Sequence, residues 1–139
     1  MREHMGLYRG KRIDNGEWVE GFYINLGGKY HYILDGQLDI TRGYPDLIKH
    51  PVDPDTVGEC TGLRDKNGKL IFEGDIVRCD ELFTAVVKWD SSHARFVLAI
   101  IYEAEIDGYV NLTRGKADNL AVIGNIHDNK EILKGGEGE

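Results

Sequence analysis

The chain has 139 residues, a formal net charge of −7 and a sequence pI near 5.2. This acidic balance argues against a non-specific grip on nucleic-acid backbones, which depends on clustered Lys and Arg. No apolar run approaches the ~18 residues that a membrane span needs, and no apolar leader opens the sequence, so we expect a soluble cytoplasmic protein without membrane contact. The 18 glycines against 3 prolines favour short strands and tight turns over long helices.

The first half of the chain predicts an antiparallel β meander. Asn15-Gly16 is typical of a tight hairpin turn, because both residue types tolerate a positive φ angle. The strand that follows has apolar side chains at every second position. This alternation places Phe22, Ile24 and Leu26 on one face of the strand.

Two more turns and a connector complete the predicted N-terminal unit. Gly27-Gly28 and Asp35-Gly36 predict two-residue turns between short strands of the meander. Residues 44–50 form the one helix candidate, a single turn that must end before the next proline. The turn-rich residues 52–58 predict a connector, so we expect an N-terminal β unit over residues 1–57.

Residues 61–79 show the clearest agreement between turn chemistry and strand pattern. Asn67-Gly68 predicts a hairpin turn, and a short apolar run over residues 69–72 follows it. Gly74 interrupts this run before a second one begins at Ile76. We therefore expect a sharp bend or a bulge between two short strands.

Four further strands are predicted downstream, and one of them is a nearly continuous apolar run, as in a strand covered on both sides. They lie at residues 83–89, 95–105, 109–112 and 120–126, with a last helical turn at residues 131–134. Closure into a barrel would remove the unpaired edges of such short strands. The predicted fold class is therefore mainly β: an N-terminal meander plus an SH3-like small barrel over residues 58–129, few short helical turns, and a flexible tail over residues 130–139.

The sequence predicts neither an enzyme nor a cofactor. It contains no Ser-His-Asp or Cys-His arrangement and no glycine-rich phosphate loop. Glu73 and Asp75 are the obvious carboxylate pair, but the glycine between them favours a structural role, with a carboxylate accepting backbone N–H groups at a turn. The histidines are scattered and Cys60 and Cys79 form no C-x-x-C pair, so we predict no metal site and two reduced thiols.

One group of residues supports nucleic-acid binding. Arg9, Lys11 and Arg12 lie near Tyr8 and Trp18 in sequence, a mixture that small barrels use for backbone contact and base stacking. Glutamates in the same hairpin and the acidic total argue against it. Nucleic-acid binding is therefore the alternative, and a non-catalytic protein-interaction or assembly scaffold is the main hypothesis.

Four blocks of the chain resemble the YopX proteins encoded by bacteriophages and prophages. They are Tyr-Arg-Gly-Lys-Arg-Ile-Asp-Asn-Gly-Glu-Trp-Val-Glu-Gly from residue 8, Val-Asp-Pro-Asp-Thr-Val-Gly from residue 52, residues 61–77 from Thr-Gly-Leu through Asp-Ile-Val, and Val-Ile-Gly-Asn-Ile-His-Asp-Asn from residue 122. Their order and spacing make the resemblance specific. The chain departs from the family pattern at Glu59-Cys60 and at Lys130, where packing and a terminal turn are concerned.

The resemblance implies a mainly β protein of phage or prophage origin with a tendency to oligomerise and no established catalytic activity. We expect its partners to be an unknown protein of the host or the phage and further copies of this chain. The apolar faces of residues 22–32 and the open strand edges of the meander are the surfaces expected to associate.

Overall fold

The computed structural model describes residues 6–134, in which β-strands dominate. The strands are β1 (Tyr8–Arg12), β2 (Trp18–Leu26), β3 (Tyr30–Asp39), β4 (Asp46–Arg64), β5 (Leu70–Phe72), β6 (Asp75–Cys79), β7 (Phe83–Asp90), β8 (Arg95–Tyr102), β9 (Glu105–Asn111) and β10 (Ala121–Asn125). A short helix, α1 (Arg114–Ala117), precedes β10, and a 3₁₀ turn (Lys130–Lys134) follows it. The expectation of a mainly β protein is confirmed. In this described part, no helix is long and apolar enough to cross a membrane.

The described residues divide into two compact units. The first unit ends at Cys60 and the second begins at Thr61. The dividing point lies inside β4, so this strand contributes residues to both units. The division expected after residue 57 also falls within this strand.

The first unit is a set of four antiparallel strands that closes on itself. β2 pairs with β1 and β3, β3 pairs with β4, and β4 returns to pair with β1. The β1–β4 pairing occupies strand edges that the sequence led us to expect free. Ile33 and Val52 are buried inside this unit, and Gly10 packs so closely that a Cβ atom there would lie 3.1 Å from each of their side chains.

The helix predicted at residues 44–50 and the connector predicted at residues 52–58 are both wrong, because residues 46–50 and 52–58 lie in β4. The turn-forming residues 52–58 produce a β-bulge within this strand. Between Arg9 and Lys11, the β1–β4 register moves from Gly58 to Asp53. The extra residues are held by the Thr56 hydroxyl, which donates to the Asp53 carbonyl at 2.6 Å and accepts the Lys11 N–H at 2.8 Å.

The turn predicted at Asp35-Gly36 is also wrong, since both residues lie inside β3. The β3–β4 register shifts between Leu34 and Leu38, so Gly36 lies at a local irregularity in a strand that continues past it. The turns at Asn15-Gly16 and Gly27-Gly28 are confirmed in position, although the second spans the three residues 27–29 instead of two. Gly27 and Gly28 have φ angles of 64° and 74°, which favour glycine.

The second unit contains an antiparallel sheet in the order β10-β6-β7-β8-β9. β8 lies between β7 and β9 and is buried at its middle, as its apolar run predicts. One core cluster packs on the sheet, formed by Ile71, Val77, Ala85, Val87, Leu98, Ala117 and Leu120. The predicted strand over residues 95–105 is too long: it ends at Tyr102, and Glu103 and Ala104 turn the chain with positive φ angles. The short helix α1, capped by Thr113, was not predicted.

Two buried aspartates organise the turns of the second unit. Asp65 accepts the backbone N–H groups of Asn67 and Lys69 at 2.9 Å each and that of Val122 at 2.8 Å. Asp75 accepts the Phe72 N–H at 2.8 Å, which confirms its predicted structural role. The Asn67-Gly68 turn is likewise confirmed.

Two further predictions concern the cysteines and the C-terminal end. No disulfide joins Cys60 and Cys79 within the described residues. The helical turn predicted at residues 131–134 is present as the 3₁₀ turn, and the remainder of the predicted tail lies outside the described residues.

Candidate functional site

The five residues predicted to contact nucleic acid lie on β1 and β2, but their side chains divide between two faces. Lys11 lies directly opposite Trp18 across the β1–β2 pairing. Alternation along β1 puts Arg9 on the side of Lys11 and puts Tyr8 on the other side. The Tyr8 ring accordingly packs against the Tyr23 ring, with centroids 5.6 Å apart.

The cations of this hairpin are engaged by neighbouring groups. The Arg9 guanidinium lies 5.0 Å and the Lys11 ammonium 5.9 Å from the centroid of the Trp18 ring, within cation–π range. Arg9 itself is buried, with 9% of its surface exposed. Arg12 forms two hydrogen bonds with the Asp14 carboxylate, at 2.8 and 3.0 Å, and this contact lowers the pKa of Asp14 from its ordinary value.

A larger feature of the first unit is an exposed apolar surface on the β2–β3 hairpin. The cross-strand pairs that form it are Phe22 with Leu34, Ile24 with Tyr32, and Leu26 with Tyr30. Paired residues share a face, and alternate residues of a strand do too, so all six side chains lie on one side. We call this surface the hairpin face. The predicted common face of the three β2 residues is confirmed.

The hairpin face is open to solvent. Phe22 is 69% exposed, and Leu26 and Tyr30 are each 51% exposed. The intervening β3 residue, Ile33, is fully buried on the opposite side. The alternation of the sequence thus directs one set of apolar residues inward and leaves the other set outside.

The surroundings of the hairpin face extend it and mark its borders. Leu38 and Leu47 form a further cross-strand pair on β3 and β4, and both are about half exposed. The ammonium groups of Lys29 and Lys49 lie 5.5 and 5.4 Å from the ring centroids of Tyr30 and Tyr32, respectively. A shallow cavity of about 260 Å³ adjoins Phe22 and Leu34. An apolar centre with a charged margin is the usual anatomy of a protein interface.

The opposite side of the same hairpin carries polar side chains that pair with one another beside the buried Ile33. The Tyr23 hydroxyl lies 2.6 Å from Nδ1 of His31, and the His50 Nε2 atom lies 3.0 Å from the Asp35 carboxylate. A backbone hydrogen bond from Gln37, together with the contact to His50, lowers the pKa of Asp35 against the effect of desolvation. These contacts fix the hairpin and leave its apolar face outward.

The described residues offer no group of three or more His, Cys, Asp and Glu side chains that could hold a metal ion.

A second exposed feature is a groove in the second unit, which β7, β8 and β9 help to line. The apolar hairpin face could have been found from the alternation over residues 18–26, whereas its completion by β3 and β4 needed the strand register.

The fold and the hairpin face define a mainly β protein with an exposed apolar surface on its first unit. A sequence model described as YopX protein matches residues 7–134, and the chain belongs to the YopX family. Its fold is similar to that of the crystal structure of protein EF1440 from Enterococcus faecalis, with a TM-score of 0.60 and 24% sequence identity. That similarity covers 91% of this chain and 96% of the other. No curated protein matches the sequence.

Proposed function

We propose that this protein is a non-catalytic interaction and assembly module of a bacteriophage or prophage, acting in the bacterial cytoplasm. It associates with further copies of itself, and with a protein of the host or the phage, through the hairpin face. The observation that carries the proposal is the exposure of Phe22, Leu26 and Tyr30 on one side of a rigid, paired hairpin.

The energy of such an association comes from apolar burial. Covering a Phe or Leu side chain removes its surface from water and contributes about 1.5–3 kcal/mol. Aromatic side chains are enriched in the cores of protein interfaces, where they bury a large area at a small cost in side-chain entropy. Because the face is a sheet surface, two copies can place the same residues against each other about a twofold axis.

The fold of the second unit supports the scaffold hypothesis. β6 to β9 form a meander and β10 returns to pair with β6, an arrangement compatible with the SH3-like barrel proposed for residues 58–129. Small barrels of this kind present loops and faces to partners. The absence of catalytic motifs in the sequence agrees with a role in binding.

Light scattering after gel filtration tests the self-association at a series of micromolar concentrations. We expect the wild-type protein to have a molar mass above the 15.7 kDa of one chain, and Phe22→Asp to shift it towards the monomer. Leu82→Asp is the matched control, because Leu82 is 77% exposed but lies in the second unit. A wild-type monomer at every concentration would remove self-assembly from the proposal.

The second candidate function is nucleic-acid binding by Tyr8, Arg9, Lys11, Arg12 and Trp18. One observation favours it: Arg9, Lys11 and Trp18 share a face of the β1–β2 hairpin. Such binding would weaken steeply with salt, with a log–log slope of about one per neutralised phosphate. Titration of single- and double-stranded DNA and RNA at low and physiological salt tests it. We expect no salt-sensitive binding, and binding lost in Lys11→Glu would favour this candidate over the scaffold.

A further inference from the structure

An amphipathic groove lies in the second unit, with a volume of about 620 Å³. Its floor is apolar and comes from the outer face of the sheet and from the segment after β10. The floor residues are Val86, Ile101, Ile106, Ile126 and Leu133. The volume is in the range of ordinary ligand-binding clefts.

Strand register explains why this floor is apolar on a side of the sheet that faces away from the core cluster. Ala85 and Val87 belong to the core cluster, so Val86 between them lies on the opposite face of the sheet, where it is 3% exposed at the bottom of the groove. Ile101 on β8 pairs with Ile106 on β9, which places both on one face. Ile126 and Leu133 follow the last strand and join the same apolar lining, so two separate segments of the chain contribute to it.

The rim of the groove carries a charge opposite to that of the whole protein. Lys88, Lys130 and Lys134 line it and are exposed, and His127 lies beside them. The groove lining includes no Asp or Glu, although the chain has 24 acidic residues against 17 Lys and Arg. The ion pairs at Arg12, His50, Lys66, His93 and Arg95, all within residues 6–134, involve none of these three lysines.

We propose that this groove binds an acidic amphipathic peptide segment of a partner protein. The floor requires apolar side chains, since polar groups placed there would lose their hydrogen bonds to water. The three ammonium groups favour a segment with carboxylates at its margin, because only negative charges are attracted to them. This inference uses none of the residues of the hairpin face, so its test is independent of the test of self-assembly.

The occupant is a peptide segment because the groove has both an apolar floor and several separate lysine side chains at its rim. A free phosphate or a nucleic-acid backbone would satisfy the lysines but leave the floor uncovered. A peptide that alternates apolar and acidic residues satisfies both features at once.

Fluorescence anisotropy with a labelled synthetic peptide in which Leu and Phe alternate with Glu tests the proposal on the full chain. Two control peptides replace Glu by Lys or replace the apolar residues by Ser. We expect the acidic amphipathic peptide alone to bind, and the double variant Lys130→Glu/Lys134→Glu to weaken binding by about tenfold or more. Arg114→Glu is the charge control, because Arg114 is exposed on α1 outside the groove lining.

A charge exchange keeps the test decisive even if the double variant is less stable. The Lys-containing peptide should bind Lys130→Glu/Lys134→Glu better than it binds the wild-type protein. Ile106→Ser should weaken the binding of the acidic peptide without changing the salt dependence of its affinity. Equal binding of the acidic Ser-containing peptide, unchanged affinity in the double variant, or preferential binding of single-stranded DNA or of dodecanoate would each overturn the proposal. Phe22→Asp should leave the peptide affinity unchanged, which separates this result from that of the assembly experiment.

Discussion

The two units of this protein place their apolar residues in opposite ways. Among the described residues of the second unit, twelve are buried hydrophobic residues, and most of them lie on β6, β7 and β8. Among those of the first unit, only Ile33, Val52 and Cys60 are buried hydrophobic residues, while large apolar side chains such as Phe22 and Tyr30 are exposed. The first unit is thus held by strand pairing and close backbone contact, and it leaves apolar surface exposed to solvent.

The largest expected effect comes from the core of the second unit. Leu98 on β8 is fully buried within the core cluster, so Leu98→Ala removes packed methyl groups and opens a cavity. We expect the free energy of unfolding to fall by about 3 kcal/mol, within the range for buried Leu→Ala changes. Chemical denaturation measures it, with the exposed Leu82→Ala as a control that should change the free energy by less than about 0.5 kcal/mol.

The first unit should be most sensitive at a glycine, because its backbone approaches so closely there. A Cβ atom at Gly21 would lie 2.0 Å from the carbonyl oxygen of Leu34, which is backbone and cannot rotate away. We expect Gly21→Ala to cost about 2 kcal/mol or more through forced displacement of β3. Gly115→Ala has open space around the new methyl group and should be neutral, and equal unfolding midpoints for the two variants would contradict this account.

A smaller, pH-dependent effect is expected at Asp65 in the second unit. Burial opposes ionisation of this carboxylate, but three backbone N–H donors outweigh it and lower its pKa from the ordinary value. Its contribution to stability is therefore complete above the pKa of the unfolded chain, about 3.9, and is lost as pH falls through that value towards the lower pKa of the folded state. Asp65→Asn should cost about 2 kcal/mol at neutral pH.

The acid dependence supplies the control for Asp65. The difference in unfolding free energy between wild type and Asp65→Asn should be smaller near pH 3 than at neutral pH, since the contribution of the wild-type carboxylate is progressively lost as the pH falls below about 3.9. A constant difference between the two proteins at both pH values would show that the carboxylate charge plays no part.

The smallest effect on stability is expected at the hairpin face itself. Phe22→Ser removes a side chain that is 69% exposed, so the free energy of unfolding at low protein concentration should change by less than about 0.5 kcal/mol. The same substitution should weaken assembly. A large loss of monomer stability would mean that Phe22 packs within its own chain, and the contrast between the two units would weaken.

The sequence predicts local features better than long-range pairing. The turns at Asn15-Gly16 and Asn67-Gly68 and the alternating face of β2 follow from neighbouring residues, and all are confirmed. Residues 52–58 have the composition of a connector, but the return of β4 to β1 converts them into a bulge. That pairing joins residues far apart in sequence, so no local pattern reports it.

The candidate surfaces show the same limit. Phe22, Ile24 and Leu26 could be placed on one face from sequence, whereas their partners on β3 required the register of the hairpin. Lys11 and Trp18 were both named as candidates, but their cation–π contact appears only when β1 and β2 pair. The lysine-rimmed groove depends on segments from β7 to the 3₁₀ turn, which no single motif connects.

The most direct test of the central claim is an isotope-filtered nuclear Overhauser experiment on a mixture of labelled and unlabelled protein. It detects only contacts between different copies of the chain. If the hairpin face is the assembly surface, intermolecular contacts will join the rings of Phe22 and Tyr30 to the methyl groups of Leu26 or Ile24, and Phe22→Asp will abolish them. Intermolecular contacts confined to the second unit, or none at concentrations where the protein is oligomeric, would contradict the account.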